Sequence, residues 1–140
     1  MSKRGTQTRF ERGAAAVEMA FLTILLFILV AGIVDLGRAL FTYVAVQDAA
    51  QEGTLYGSYR PEDAAPIRDR VVDSTEFPTL DPDNVEVSCP SGAPNGGDTI
   101  AVRVTHEVDL ITPIVGTFLG GSIELSSEHI GQVFNGECLT

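Results

Sequence analysis

An α+β fold, in which a long N-terminal transmembrane and amphipathic helix packs on a small antiparallel sheet of about three strands, follows from three features of the chain. Met19 to Val34 is a run without a single charge. From Asp35 onward there is no proline until Pro61, and apolar residues recur at helical spacings of three and four. Beyond residue 84, apolar and polar residues alternate in short runs separated by glycine- and proline-rich segments. A length of 140 residues allows one small domain plus an anchor.

The apolar run comes first. Together with Gly13–Val17 and Glu18 it makes 22 residues, enough to cross ~30 Å of hydrocarbon at about 1.5 Å per residue. Residues 1–34 hold four basic and two acidic side chains, a net of +2, whereas residues 35–140 hold five basic and 17 acidic ones, a net of −12. A basic flank before an apolar span predicts a single pass with the N-terminus inside and the C-terminal domain exported. A secretory signal peptide cut after Val30-Ala31-Gly32 is the competing reading, and a plain unprocessed anchor is another. Continuity argues against the signal peptide. Leu36, Leu40, Tyr43, Val44, Ala50 and Leu55 predict one face of a helix, and Asp35, Arg38, Gln47, Asp48, Gln51 and Glu52 most of the other. The helix is expected to end near Tyr56-Gly57, with Gly57 as its stop and Gly53 as a weak point one turn earlier. From Ala14 to Tyr56 it would measure ~65 Å. The expected divisions are a basic leader (1–13), a transmembrane segment (14–34), an amphipathic continuation (35–58) and an exported α+β domain (59–140).

The exported part begins with Pro61-Glu62-Asp63, whose acids suit a helix N-terminus, followed by Ala64, Ile67 and Val71 at helical spacing. Phe77 to Asn84 reads as a linker. Val85, Val87 and Cys89 alternate with Glu86 and Ser88 as a short strand, and residues 91–98 form a turn or hairpin loop. In the clearest strand, Ile100, Val102, Val104, His106, Val108 and Leu110 share one face and Ala101, Arg103, Thr105, Glu107 and Asp109 the other. Ile114, Val115, Phe118 and Leu119 make an apolar loop or single turn before Gly120-Gly121. A third strand starts with Ile123 and Leu125 and continues through Ile130, Val133 and Phe134 after a bulge.

Cys89 and Cys138 both lie beyond the span, so export makes a disulfide the natural reading, closing a loop of about 50 residues. Two unrelated buried thiols are the alternative; a zinc knuckle lacks its paired spacing. The acidic body has no Lys/Arg face for phosphates and argues against nucleic acid. No catalytic constellation or cofactor motif is visible. His106 reads as a core or edge histidine, and His129 is isolated. Asp81, Asp83 and Glu86 are better explained by turn chemistry than by a calcium loop, because Pro82 intervenes and the loop glycine is missing. Nothing here predicts an enzyme.

The remaining oddity is Glu18, a carboxylate at the mouth of the span and the fifth residue after Gly13. An ionisable group in that position is a functional hypothesis by default. The stretch RGAAAVEMAFLTILLFILVAGIVDLGRALFTYVAVQDAAQEGTLYGS, residues 12–58, resembles the N-terminal region of the TadE-like proteins, minor pilins or pseudopilins of tight-adherence (Flp-type) pilus systems. The likeness rests on Arg12-Gly13, four small or apolar residues, Glu18 and the apolar helix, then on Asp35-Leu36-Gly37-Arg38 and Ala49-Ala50-Gln51-Glu52-Gly53. A looser likeness extends through Thr112-Pro113 and Leu119 to Leu125. The resemblance implies cleavage between Gly13 and Ala14 by a prepilin peptidase at the cytoplasmic face of the bacterial membrane. It further implies pairing of Glu18 with the new Ala14 amine of a neighbouring subunit, and partnership with other pilins and Tad secretion platform proteins. An amine of pKa ~8 is mostly cationic at neutral pH and would offset a carboxylate in low dielectric. Two functions follow as expectations: a processed pilus subunit, or an uncleaved membrane-anchored interaction or sensor domain.

Overall fold

In the computed structural model, residues 4–90, 98–112, 116–117, 120–134 and 138–139 are described, with side chains from Gly13 onward. Helix α1 runs unbroken from Arg4 to Tyr59, 56 residues, or about 84 Å. It is followed by α2 (Ala64–Asp73), a 3₁₀ turn (Pro82–Asn84), and strands β1 (Val85–Ser88), β2 (Thr99–Asp109) and β3 (Ser122–Gln132). The strands form one antiparallel sheet in the order β1-β2-β3. A long apolar helix plus a three-stranded antiparallel sheet is the α+β architecture the sequence predicts. The turn expected over residues 91–98 lies outside the described residues except for Asp98, as do Ile114, Val115, Phe118 and Leu119 of the expected apolar loop.

Two expectations are corrected and one open point is settled. The helix does not stop at Tyr56-Gly57. It continues to Tyr59, and the Arg60 amide closes its last turn on Tyr56 O (3.1 Å). Gly57 and Gly53 are contact points, not breaks. A Cβ at Gly53 would lie 2.3 Å from Val71 Cγ2, and one at Gly57 2.6 Å from Ile100 Cδ1. Only glycine lets α2 and the sheet come so close to the helix.

The second finding concerns which helix face is buried, a point that periodicity leaves open. The sheet, α2 and, at Asp35, the β2–β3 connection cover Asp35, Thr42, Val46, Ala49, Ala50, Gly53, Thr54, Gly57 and Ser58. These follow a helical stripe, but a small and polar one. Of the apolar face that the spacing predicts, only Ala50 is buried; Leu36, Leu40, Tyr43, Val44 and Leu55 are exposed. Hydrophobicity marks this helix's outward side, because the inward side is chosen for close approach.

The third concerns β3, which pairs residue for residue with β2 from Asp109↔Ser122 to Thr99↔Gln132 and has no bulge. Without the extra residue the phase does not switch. Ile130 therefore points outward, 58 % exposed, and Gly131 sits against Thr54 and Ser58 of α1. Val133 and Phe134 lie past the strand end.

The remaining local rules hold. Asp63 is the N-cap of α2, its Oδ1 accepting from Ala65 N at 3.0 Å. Pro66 is the third helical residue, where no intrahelical partner awaits its missing N–H. Asp81 caps the 3₁₀ turn by accepting from Asp83 N at 3.0 Å, which is turn chemistry. Ile67 and Val71 of α2 join Val46, Ala49, Ala50, Leu80, Val85, Val87, Ile100, Val102 and Val104 in one core.

Candidate functional site

Gly13 and Ala14 share one turn of α1 and Glu18 lies on the next, all exposed. A Cβ at Gly13 would meet no atom within 4 Å. Ala14 and Glu18 are four residues apart and so share one helix face. The span that follows is likewise uncovered, with Phe21, Leu25, Phe27 and Ile33 among its exposed side chains. Its hydroxyl at Thr23 is satisfied internally, donating to Met19 O at 2.8 Å, as an apolar solvent requires. This helix is long and apolar enough to cross a membrane and fits a single-pass anchor.

The span ends at a feature that sequence reasoning missed. Asp35 is only 3 % exposed although it directly follows the apolar span. Its two carboxylate oxygens accept from Thr112 N (2.8 Å) and Ile111 N (3.1 Å), so one side chain chelates the start of the β2–β3 connection. The Thr112 hydroxyl, opposed by desolvation and helped by the two amides and Arg38, holds the carboxyl below its ordinary value of 3.8. A lowered folded-state pKa stabilises above the ordinary value, and the stabilisation is lost as pH falls through the lowered one. Asp35→Ala is therefore expected to speed hydrogen exchange at the Ile111 and Thr112 amides. Its destabilisation relative to wild type should be constant above about pH 4 and shrink below it; a deficit that grows on acidification would contradict the assignment. The available sequence signal was position, a single acid directly after an uncharged run.

At the opposite end of the domain, Cys89 and Cys138 form a disulfide with Cα atoms 6.0 Å apart. It fastens the end of β1 to a C-terminal tail that crosses the end of α1. There Phe134 N donates to Ser58 O (2.9 Å), Leu139 N donates to Pro61 O (2.8 Å), and the Phe134 ring rests on Tyr59 (centroids 5.3 Å apart).

Between α1 and α2 lies an open groove of about 560 Å³, lined by Phe41, Val44, Asp48, Glu52, Arg70 and Phe77. An Arg70–Glu52 ion pair and the stacked Phe41 and Phe77 rings (6.1 Å) connect its walls. Neither histidine builds a reactive pair. His106 and His129 are half-buried on adjacent strands, and the buried Nδ1 of His129 has no hydrogen-bond partner among the described residues. No group of three His, Cys, Asp or Glu side chains among the described residues is disposed to hold a metal.

Residues 13–55 match the family model described as TadE-like protein. The match begins at the glycine preceding Ala14 and ends inside α1, so it covers the helix and not the sheet. The looser likeness at residues 112–125 lies outside it. No curated protein and no solved structure matches the chain.

Proposed function

We propose that this chain, TadE-like along its helix, is a minor pilin or pseudopilin: a processed, membrane-anchored subunit that supports assembly of a Tad (Flp-type) adhesion pilus. The observation that carries the reading is the family match, which starts at Gly13 and runs through the span and its helical continuation. A prepilin peptidase cuts between Gly13 and Ala14 at the cytoplasmic face. Removing residues 1–13, with four basic and one acidic side chain, takes the net charge from −10 to −13. Glu18 then accepts the Ala14 amine of a neighbouring pilin subunit. The basic N-terminal flank supports an N-inside orientation, and the disulfide supports an exported domain. The chain acts through contact, not catalysis.

Intact-mass measurement of the membrane protein from cells with and without the peptidase tests the cut. Loss of residues 1–13 only when the peptidase is present is expected. An uncut chain in both would overturn the proposal and favour an uncleaved interaction or sensor domain. Glu18→Ala is expected to leave insertion and cleavage intact while reducing the number of pili per cell. Wild-type piliation in that variant would remove the assembly role assigned to the carboxylate.

A further inference from the structure

We propose that the start of the β2–β3 connection, Leu110 to Thr112, is a second membrane contact, seated on the headgroup and upper acyl region of the bilayer that α1 crosses; this rests on the reading of α1 as a membrane anchor. Direction is the first argument. Ile100 lies against Gly57, Val102 near Gly53, and the Thr112 amide on Asp35. Strand β2 therefore descends α1 toward the span, covering 22 helix residues or ~33 Å with 12 extended ones or ~40 Å. Strand β3 climbs back to Thr54 and Ser58 at Gly131. The connection between them is the end of the domain nearest the span.

Its level is set by Asp35, the residue directly after the last apolar residue of the span. The two amide bonds hold the connection at the height where the uncharged run begins. They also solve a problem for Asp35, because a carboxylate at the rim of the hydrocarbon needs donors that water there supplies poorly.

Composition fits the same neighbour. In a chain with 20 % charged residues, none occurs between Asp109 and Glu124. Ile111 is 66 % exposed beside the Asp35 clamp, an apolar side chain held open at that level. An acidic domain that meets a bilayer needs one face free of carboxylates, and this is that face. The backbone is also prepared for a medium poor in water. Leu110 N donates to Gly121 O (3.0 Å), Gly121 N to Gly116 O (2.7 Å) and Gly116 N to Thr112 O (2.9 Å). Gly120 and Gly121, at φ 88° and 91°, make the return that closes it.

The chain contains no tryptophan, so each single substitution supplies a sole reporter. Full-length Ile111→Trp, Phe27→Trp and Phe134→Trp would each be reconstituted in phosphatidylcholine/phosphatidylglycerol vesicles containing lipids brominated either near the glycerol or deep in the acyl chain. Phe27 lies in the span and Phe134 at the far end of the domain, beside Tyr59. The expected result is quenching of Ile111→Trp by the shallow bromines with emission blue-shifted relative to Phe134→Trp, quenching of Phe27→Trp by the deep bromines, and no lipid quenching of Phe134→Trp. Emission from Ile111→Trp that matches Phe134→Trp and ignores both lipids would overturn the proposal while leaving the anchor intact. A blue shift that depends on protein density, without lipid quenching, would overturn it in favour of a contact between copies. Failure of Phe27→Trp to report deep quenching would remove the anchor itself, and the proposal with it.

Discussion

Replacing both Cys89 and Cys138 by serine is expected to lower the unfolding free energy of the domain by ~4 kcal/mol, the value for a closed loop of about 50 residues on the chain-entropy account. The bond has a sequence separation of 49 and links a short edge strand to the C-terminal tail. Strand β1 has four residues and pairs on one side only. The tail after Gln132 is held to the end of α1 by the amides of Phe134 and Leu139 and by the Phe134–Tyr59 ring contact. Small domains of this kind bury too little surface to absorb such a loss easily. Denaturant unfolding of the full chain in micelles, followed by tyrosine fluorescence, would measure it. The double variant avoids a lone reactive thiol. Hydrogen exchange should localise the change to β1 and the tail, with the β2–β3 ladder less affected. A loss below about 1 kcal/mol would show that these segments stay ordered without the bond, and would weaken the entropic account.

The fold was legible where one rule acted alone. An uncharged run, alternation in β2, and acids ahead of α2 each point to one local structure, and Asp63 and Asp81 cap the elements that their positions suggest. Legibility failed where residues serve a neighbour remote in sequence. Gly53 and Gly57 look like helix breakers because what they accommodate, Val71 and Ile100, lies far along the chain. Leu36, Leu40 and Val44 share a face by periodicity, which does not say what covers it, and they are exposed. The inward face of α1 is instead set by proximity, so hydropathy ranks it below the outward one. Asp35 was assigned to a polar face for the same reason: its partners are backbone amides, which have no sequence signature. The Gly13–Glu18 pattern spans only one to two turns of helix, so the sequence alone displays it, and the family match begins there.

Gly53→Val is expected to destabilise the domain by about 3 kcal/mol, toward the upper end for overpacking a close-fitted site. Helix propensity alone predicts the opposite, since any ordinary residue is a better helix former than glycine. The two effects separate by position. At Gly37 a Cβ meets nothing within 4 Å, so Gly37→Ala should stabilise by up to ~1 kcal/mol. At Gly53 the first added carbon already lies 2.3 Å from Val71 Cγ2 and 3.2 Å from Val102 Cγ1. Valine is stiff about χ1, so Val71 yields only by shifting α2. The added methyls of Gly53→Val need still more space. Val71→Ala removes the closest obstacle, so the double variant should be more stable than the sum of the single effects predicts, with a coupling of about 1 kcal/mol or more. Additive effects would mean that α2 moves away as a unit and that the glycine does not set the spacing. Nonadditivity would tie the close seam to a division of labour along α1. Small residues bind the chain's own domain tightly on one side, which leaves the large apolar side chains on the other free to meet the membrane or another subunit.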